Sequence, residues 1–337
     1  MYKYLSLIIA GGLLTGCMGG SNIKDPMAFD KRPLVKASIM PTKAQLSGAK
    51  TRVIVFGIDD KDVSLAKRAK LGTAISNKIE TILSDTGVEI VDRKLAIKLQ
   101  KEINLAEIKG NNGYKGPELA DFSVTGKIIS TNFSQQYIAA SSWVDSKKVV
   151  HKTPARCKYV VTLEGSLKVH ALPSLSMVDT ITIKDTETQI HDLTGTRYSR
   201  YYSNKSCPSF DSTQVNSLAS SAALDAINSS KNDLKNNFSP RGYVTEYRAK
   251  EDKHIIKITI GSSAGVKEGQ DVEIMQTFKN EDQLTGRSST EERVLVEGDV
   301  SNQVGKSYAW IVIDDPKKAN QIRLGDTVKV RYANGWW

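Results

Sequence analysis

Apolar residues repeat with two different spacings along the first part of the chain. A continuous apolar run at 53–56 predicts a strand that is covered on both faces. Residues at helical spacing follow it, a second short run comes at 88–91, and helical spacing then returns. The helical positions are Leu71, Ile75, Ile79 and Ile82, and later Leu95, Leu99 and Ile103. With Gly87 as a stop and Asp92 as an N-cap, the predicted order is strand, helix, strand, helix.

Alternation of apolar and polar residues predicts the strands that come next. Residues 120–130 indicate a third strand, and a hairpin with one wet face follows, turning at Pro173-Ser174. Its apolar positions are Val161, Leu163, Leu167 and Val169, and then Leu175, Met177, Ile181 and Ile183. A helix of small residues follows, with its stripe at Val215, Leu218, Ala222 and Ala226. Residues 51–236 are therefore predicted to be α+β, a mixed sheet packed with helices.

Helical spacing disappears after a polar linker that contains Pro240. Short β-rich runs fill residues 243–335, and two of them follow similar turns at 265–270 and 321–326. In both turns a branched apolar residue and a glycine suited to positive φ precede the strand. This region is predicted to be a small all-β barrel that serves as a docking module.

Residues 1–16 have the pattern of a signal peptide, because the apolar run at 5–14 is shorter than the roughly 20 residues that span a bilayer. The sequence Leu14-Thr15-Gly16-Cys17 resembles the bacterial lipobox, which implies cleavage before Cys17 and lipid attachment to it. Met18 in place of an Asp resembles lipoproteins sorted to the outer membrane. We expect a lipid-anchored protein of the outer membrane that mostly faces the periplasm. The alternative is an ordinary signal peptide in which Cys17 is incidental.

Residues 17–50 mix Gly, Ser and Pro without a sustained period, which predicts an extended, lipidated tether. The alternative is that part of this stretch packs along the body as an arm. Two further cysteines, Cys157 and Cys207, form an even pair, which in an oxidising compartment predicts one disulfide. Two separate reduced thiols are the other possibility.

Charge and composition narrow the function. The 337 residues carry a formal net charge of +10, but the basic residues are scattered among acids. This favours anionic partners such as lipid headgroups or peptidoglycan, and it argues against nucleic acid, which needs a basic stripe. The histidines lack ligand spacing, so no metal and no cofactor is expected. In the acid pairs at 59–60, 291–292 and 314–315 the two acids are adjacent, so on a strand they would point to opposite sides and could not act together. We therefore expect that the chain is not an enzyme.

The phrases Val88-Glu-Ile-Val-Asp-Arg93 and Ala120-Asp-Phe-Ser-Val-Thr-Gly126 resemble the CsgG-like lipoproteins of curli secretion. The same core is found in the TolB amino-terminal domain, in LpoB-type activators of peptidoglycan synthases and in the middle domain of FlgT. The resemblance covers roughly residues 50–236, and the β module is similar to the barrel that ends FlgT-type proteins. It implies a ring-forming homo-oligomer within an envelope-spanning secretion or motility apparatus, bound to other envelope proteins. An oligomeric secretion pore and a synthase activator remain as alternatives.

In the curli family, hairpin extensions of neighbouring subunits form a transmembrane barrel. The equivalent insertions here lie near 131–157 and 190–215, the first with a turn at 145–148. The candidate membrane or partner contacts on them are Phe133, Tyr137, Trp143, Arg197, Arg200 and Tyr201. Basic residues such as Lys148 and Arg156 are costly against lipid, which favours a soluble adaptor over a pore. The run at 197–202 is alternatively a surface loop with local cation–π contacts.

Overall fold

The computed structural model describes residues 22–46, 50–92, 120–172, 175–281 and 288–332. Cys17, the helix expected after Asp92 and the turn at Pro173-Ser174 lie outside these ranges. The described residues form an α+β fold with several sheets and few helices, in which strands predominate.

The strands are, in chain order, β1 (Asp30–Arg32), β2 (Arg52–Val55), β3 (Glu89–Ile90), β4 (Phe122–Ile138), β5 (Ser141–Val144), β6 (Val150–Thr153), β7 (Arg156–Ala171), β8 (Ser176–Asp192), β9 (Arg241–Lys250), β10 (Lys253–Ile258), β11 (Asp271–Glu281), β12 (Ser288–Val304), β13 (Ala309–Ile313) and β14 (Thr327–Arg331). The helices are α1 (Lys43–Leu46), α2 (Ser64–Arg68), α3 (Leu71–Ser84), α4 (Ser199–Ser203), α5 (Ser212–Ser229), α6 (Lys231–Asn237) and α7 (Pro316–Ala319). Short 3-10 turns lie at Pro26–Ala28, Thr196–Tyr198 and Ser262–Ala264.

A five-stranded mixed sheet forms the first half of the fold, in the order β3-β2-β4-β7-β8. Strand β2 pairs in parallel with β3 and β4, whereas β4, β7 and β8 are antiparallel neighbours. The predicted strand at 53–56 is buried on both faces, with every side chain at most 1% exposed. The mixed sheet expected from the alternating elements is therefore confirmed.

Helices α3 and α5 pack on one face of this sheet. The apolar stripes predicted for both helices are buried, and alanines 219, 222, 223 and 226 let the backbone of α5 lie close to the strands. The capping box predicts the start of α5: the Asp211 carboxylate accepts from the Gln214 backbone N–H at 2.8 Å, and the Gln214 amide oxygen accepts from the Asp211 backbone N–H at 3.1 Å. The predicted stripe from Leu71 to Ile82 lies on the 14-residue helix α3, which Lys70 at φ 54° separates from the short helix α2.

Strands β4, β7 and β8 are each 16 or 17 residues long and pair along their whole length. Val161, Leu163, Leu167 and Val169 share the buried face, as predicted. The prediction for Met177 is wrong, because its side chain is 62% exposed. A β-bulge opposite Val169 and His170 shifts the register there, so alternation counted back from Ile181 reaches the wrong face at Met177.

The second half closes into a six-stranded barrel in the order β9-β10-β13-β12-β11-β14, with β14 pairing back to β9. The two similar turns are formed as expected: Gly269 and Gly325 have φ of 75° and 89°, and the branched residues Val266 and Ile322 are buried. The predicted small all-β barrel is present.

The N-terminal stretch packs on this barrel. Strand β1 pairs antiparallel with β9, and Ile23 is buried against Ile255 and Trp310. The interpretation of residues 17–50 as a free tether is therefore wrong for residues 22–46, where the arm alternative holds. Apolar residues spaced along the stretch, including Ile23, Phe29 and Leu34, make this packing favourable.

Candidate functional site

The strand pair β4–β7 continues beyond the central sheet as a long hairpin. Here the hairpin arm means residues 131–157, the hairpin tip means residues 141–153 within it, and the cap segment means residues 193–211. Counting about 3.3 Å for each residue, β4 alone extends about 50 Å from Phe122 to Ile138. The Phe122 ring at the start of β4 contacts the Phe238 ring, with centroids 5.7 Å apart, close in the chain to the polar linker that contains Pro240. The hairpin tip lies beyond the other end of β4.

An aromatic layer joins the arm to the cap segment. Tyr159 is fully buried, and its ring stacks on Phe210 with centroids 3.6 Å apart. Phe133 stacks on both rings at 6.5 and 6.2 Å. The Tyr159 hydroxyl donates to the Pro208 carbonyl at 2.6 Å, and burial raises the pKa of this phenol. Phe133 and Tyr137, predicted as membrane or partner contacts, instead pack half-buried against the core.

The structure joins Cys157 to Cys207, in agreement with the predicted pairing, with their Cα atoms 5.6 Å apart. Cys157 lies on β7, opposite Tyr137 on β4 and His191 on β8. The bond therefore fixes the C-terminal part of the cap segment to the sheet. Because the cap segment also covers the aromatic layer, the arm and cap form one packed unit.

The basic and aromatic run on the cap segment has the local contacts of a surface turn. The Arg197 guanidinium lies 4.6 Å from the centre of the Tyr198 ring, and Tyr198 contacts Tyr201 at 6.5 Å. Arg197 and Arg200 are exposed, whereas Tyr201 is half-buried against the core. The surface-loop alternative with a local cation–π contact thus describes this run.

The predicted turn at 145–148 is present and is organised by Asp145. Its carboxylate accepts from the backbone N–H groups of Lys147 and Val149, each at 2.9 Å, and lies 3.0 Å from His151 Nε2. The His151 contact and these N–H donors lower the pKa of Asp145. Trp143 stacks on His151 with ring centroids 4.3 Å apart.

The tip exposes more apolar surface than the sequence predicted. Four of its side chains are more than half exposed: Trp143 at 57%, Val144 at 61%, Val149 at 51% and Val150 at 56%. The sequence identified Trp143 but missed the three valines. They were discoverable as apolar residues immediately flanking a polar turn, although local pattern cannot show that nothing covers them.

The outer edge of β8 is the second open surface. The Leu193 backbone N–H bonds to the Ala155 carbonyl, so odd-numbered residues of this strand face β7 and even-numbered ones direct their backbone groups outward. Thr182 fits this pattern, since its carbonyl accepts from the Ser230 hydroxyl at 3.3 Å. Within the described ranges, no strand pairs with this outer edge.

The two faces of the arm differ in polarity. The face that carries Tyr159 lies under the cap segment. The opposite face is mixed: the apolar Ile138, Val160 and Ile190 lie among polar and charged side chains, namely Asn132, Lys158, Thr162, Glu164, Lys184, Thr186 and Thr188. A strand that crosses a bilayer needs a continuous apolar face toward lipid. The charged residues interrupt any such face on the described part of the hairpin arm.

The adjacent acid pairs have structural roles. Asp60 accepts from the Gly72 N–H at the start of α3, Glu292 pairs with Arg241, and Asp315 accepts from the Lys317 N–H to cap α7. A different group was missed from the sequence: Asp185 and Glu187 of β8 and Asp225 of α5 place carboxylate oxygens within 4.8 Å of one another. Such oxygens are chemically able to hold a hard cation, but the cluster alone does not identify a metal site.

No helix among the described residues is both long and apolar enough to cross a membrane. No family model matches the chain, and no curated protein matches it. The resemblance to CsgG-like proteins therefore stays a prediction.

Solved structures with some similarity include a hypothetical protein, CT253, from Chlamydia trachomatis, at 14% identity and a TM-score of 0.26, covering 55% of this chain and 98% of that one. A putative neuraminyllactose-binding hemagglutinin homolog from Helicobacter pylori matches at 8% identity and 0.29, covering 62% and 92%. A minor lipoprotein from Acinetobacter baumannii matches at 9% identity and 0.26, covering 60% and 98%. Similarity at this level carries no inference about function.

Proposed function

We propose that this chain is a non-catalytic lipoprotein of the bacterial envelope that works by assembly. Lipid on Cys17 holds it on the outer membrane, facing the periplasm. The α+β domain packs side by side with copies of itself, as the resemblance of residues 50–236 to CsgG-like proteins implies. The barrel binds other proteins of an envelope-spanning secretion or motility apparatus.

The observation that carries the proposal is the outer edge of β8. Exposed edge strands pair readily with other chains, and monomeric proteins usually protect them with short strands, prolines, lysines or bulges. From Thr180 to Asp192 this strand is regular, contains no proline and carries the single lysine Lys184. A long, regular edge of this kind favours the addition of a neighbour's strand.

The packing of the cap segment on the hairpin arm is a second observation that supports a scaffold role. The disulfide and the aromatic layer hold the end of β8 in place before any partner arrives. A preorganised surface loses less conformational entropy on association than a mobile one.

The N-terminal arm places the barrel close to the membrane. Six peptide units separate Cys17 from Ile23, which is buried on the barrel. A fully extended chain covers about 3.3–3.6 Å per residue, so the barrel surface at Ile23 is within about 20 Å of the lipidated residue. In this proposal the barrel lies near the membrane surface, because only a short linker joins it to the lipidated residue.

Assembly through the edge is tested by the native mass of the mature lipoprotein in detergent. Thr186 directs its backbone N–H outward, so Thr186→Pro removes one outward donor without breaking a bond to β7. Thr186→Val keeps that donor and changes only the side chain. We expect multimers for the wild type and Thr186→Val, and mainly monomer for Thr186→Pro. A monomeric wild type, or a multimer that Thr186→Pro leaves unchanged, would contradict the proposal.

The anchor is tested by growth with labelled palmitate. We expect label in the wild-type protein, none in Cys17→Ala, and loss of the variant from the outer-membrane fraction. Label that persists in Cys17→Ala would place the lipid elsewhere.

A further inference from the structure

We propose that the hairpin tip docks into the surface of an anionic lipid bilayer. Trp143, Val144 and Val150 are the anchoring side chains, and the lysines around the turn bind lipid headgroups. The inference goes beyond the proposed assembly, and it requires neither the edge of β8 nor the lipid on Cys17.

The first support is the distribution of apolar surface at the tip. Trp143 pairs with His151 and Val144 pairs with Val150, and neighbouring pairs in a strand point to opposite faces. The exposed apolar side chains therefore lie on both faces of a two-stranded ribbon and beside its turn. A protein partner with one binding surface would cover one face, whereas a bilayer surface surrounds an inserted tip on all sides.

The second support is charge. Lys147, Lys148 and Lys152 are exposed at the tip. The acidic residue of the turn, Asp145, is engaged by two backbone N–H groups and by His151. The net positive charge complements anionic headgroups, and each lysine near such a surface raises binding roughly fivefold.

The third support is the shape and chemistry of the tip. Tryptophan prefers the headgroup region of a bilayer, where its ring is half in apolar and half in polar surroundings. The tip strands β5 and β6 are four residues each, too short to cross the hydrocarbon core, which requires strands of about nine residues or more. The tip therefore reaches the interface and does not cross the membrane.

Vesicle binding by the full mature chain carrying Cys17→Ala tests the proposal, because this variant removes the lipid anchor. The probes are vesicles of phosphatidylethanolamine with phosphatidylglycerol, compared with vesicles of phosphatidylcholine alone. We expect sedimentation with the anionic vesicles, at least about tenfold weaker binding to the neutral ones, and weaker binding at high salt.

The key variant is Val144→Ser with Val150→Ser, which removes the apolar surface of two cross-strand partners that are 61% and 56% exposed. The matched control is Val178→Ser, since Val178 is also 50% exposed but lies at the other end of the sheet. We expect the double variant to lose about tenfold or more in partitioning and the control to bind as the unsubstituted chain does. Circular dichroism checks that each variant is folded.

Three results would overturn the proposal. One is that the Cys17→Ala chain with its native hairpin tip does not bind anionic vesicles. Another is equal binding by the double variant. The third is association of the tip with a second copy, seen as a vesicle-free dimer in sedimentation that Val144→Ser with Val150→Ser abolishes.

Discussion

At the scale of single residues, two aspartates of the barrel show how burial and neighbouring charge determine stability. Asp326 is buried and accepts from the Arg323 backbone N–H at 2.7 Å, from Arg323 Nε at 3.0 Å and from Gln276 at 3.2 Å. Burial raises the pKa of this carboxyl, although the hydrogen bonds oppose the shift. These contacts hold the turn that contains Gly325.

We predict that Asp326→Ala destabilises the barrel by about 3 kcal/mol, because it leaves the Arg323 guanidinium, which is largely buried, without its partner. The control Asp315→Ala, which removes only the cap of α7, should cost about 1 kcal/mol. Urea denaturation followed by tryptophan fluorescence, to which the buried Trp310 of the barrel contributes, measures both. Equal losses would mean that the buried pair has no special role.

Asp299 gives a prediction about pH. Burial raises its pKa, and Asp271, directly opposite on β11, raises it further through repulsion and a hydrogen bond. A carboxyl with a raised folded-state pKa holds its proton more tightly in the folded chain. The stability of the barrel should therefore fall as pH rises from the unfolded value, near about 4, through the folded pKa.

Asp299→Asn should remove this part of the pH dependence and raise the melting temperature at neutral pH. Asp252→Asn, at an exposed turn, is the control. The measurement is the melting temperature of each variant at neutral pH and at mildly acidic pH. A lower melting temperature for Asp299→Asn than for the wild type at neutral pH would show that repulsion between Asp271 and Asp299 does not determine the stability at this pH.

At the scale of elements, the disulfide keeps the cap segment closed over the aromatic layer. It links residues 50 apart in the chain, and chain entropy for a loop of this length corresponds to about 4 kcal/mol. We predict that Cys157→Ser with Cys207→Ser lowers stability by up to that amount. Trypsin should then cleave faster after the exposed Arg197 and Arg200, because the backbone of the cap segment that carries them is no longer tied to the sheet. Unchanged cleavage would show that the cap stays closed without the bond.

The N-terminal arm is a second element with a measurable contribution. Ile23 is buried against Ile255 and Trp310, so Ile23→Ala should destabilise the barrel by about 2–3 kcal/mol. Val35→Ala, on the same arm but with its side chain 76% exposed, should change stability little. Thermal melts of the full chain compare the two. Similar melts for both variants would indicate that the arm is only loosely attached.

Periodicity predicted the helices and strands well, but it did not predict which strands pair or in what register. The buried run at 53–56, the stripe from Leu71 to Ile82 and the alternation on β7 are local properties, and the sequence displays them directly. The bulge that exposes Met177 depends on cross-strand register, which alternation within one strand cannot indicate. The pairing of β1 with β9 joins residues more than two hundred positions apart, so no local pattern predicts it.

The candidate site divides in the same way. Trp143 and the pair of cysteines were found because residue type alone indicates their chemistry. Phe133 and Tyr137 were assigned to an outer surface because local pattern does not show that both pack against the core, or that Phe210 of the cap segment stacks on Phe133. The open edge of β8 is a property of sheet order, which appears only when all five strands are placed.

At the scale of the whole molecule, three features lie in sequence along one body. The N-terminal arm and the barrel lie close in the chain to Cys17, the proposed site of the lipid, the central sheet presents the open edge of β8, and the hairpin tip follows the 17-residue strand β4. In the proposed assembly, the N-terminal arm and barrel set the distance of each copy from the membrane. The edge of β8 binds the neighbouring copy, and the hairpin tip makes the contact at the other end of β4.

The central claim is that copies of this chain join through the edge of β8. Electron microscopy of the protein extracted from membranes tests it most directly. The account predicts closed rings in which the outward backbone groups of β8 pair with an adjacent copy. Single particles, or rings in which the edge from Thr180 to Asp192 faces solvent, would contradict it.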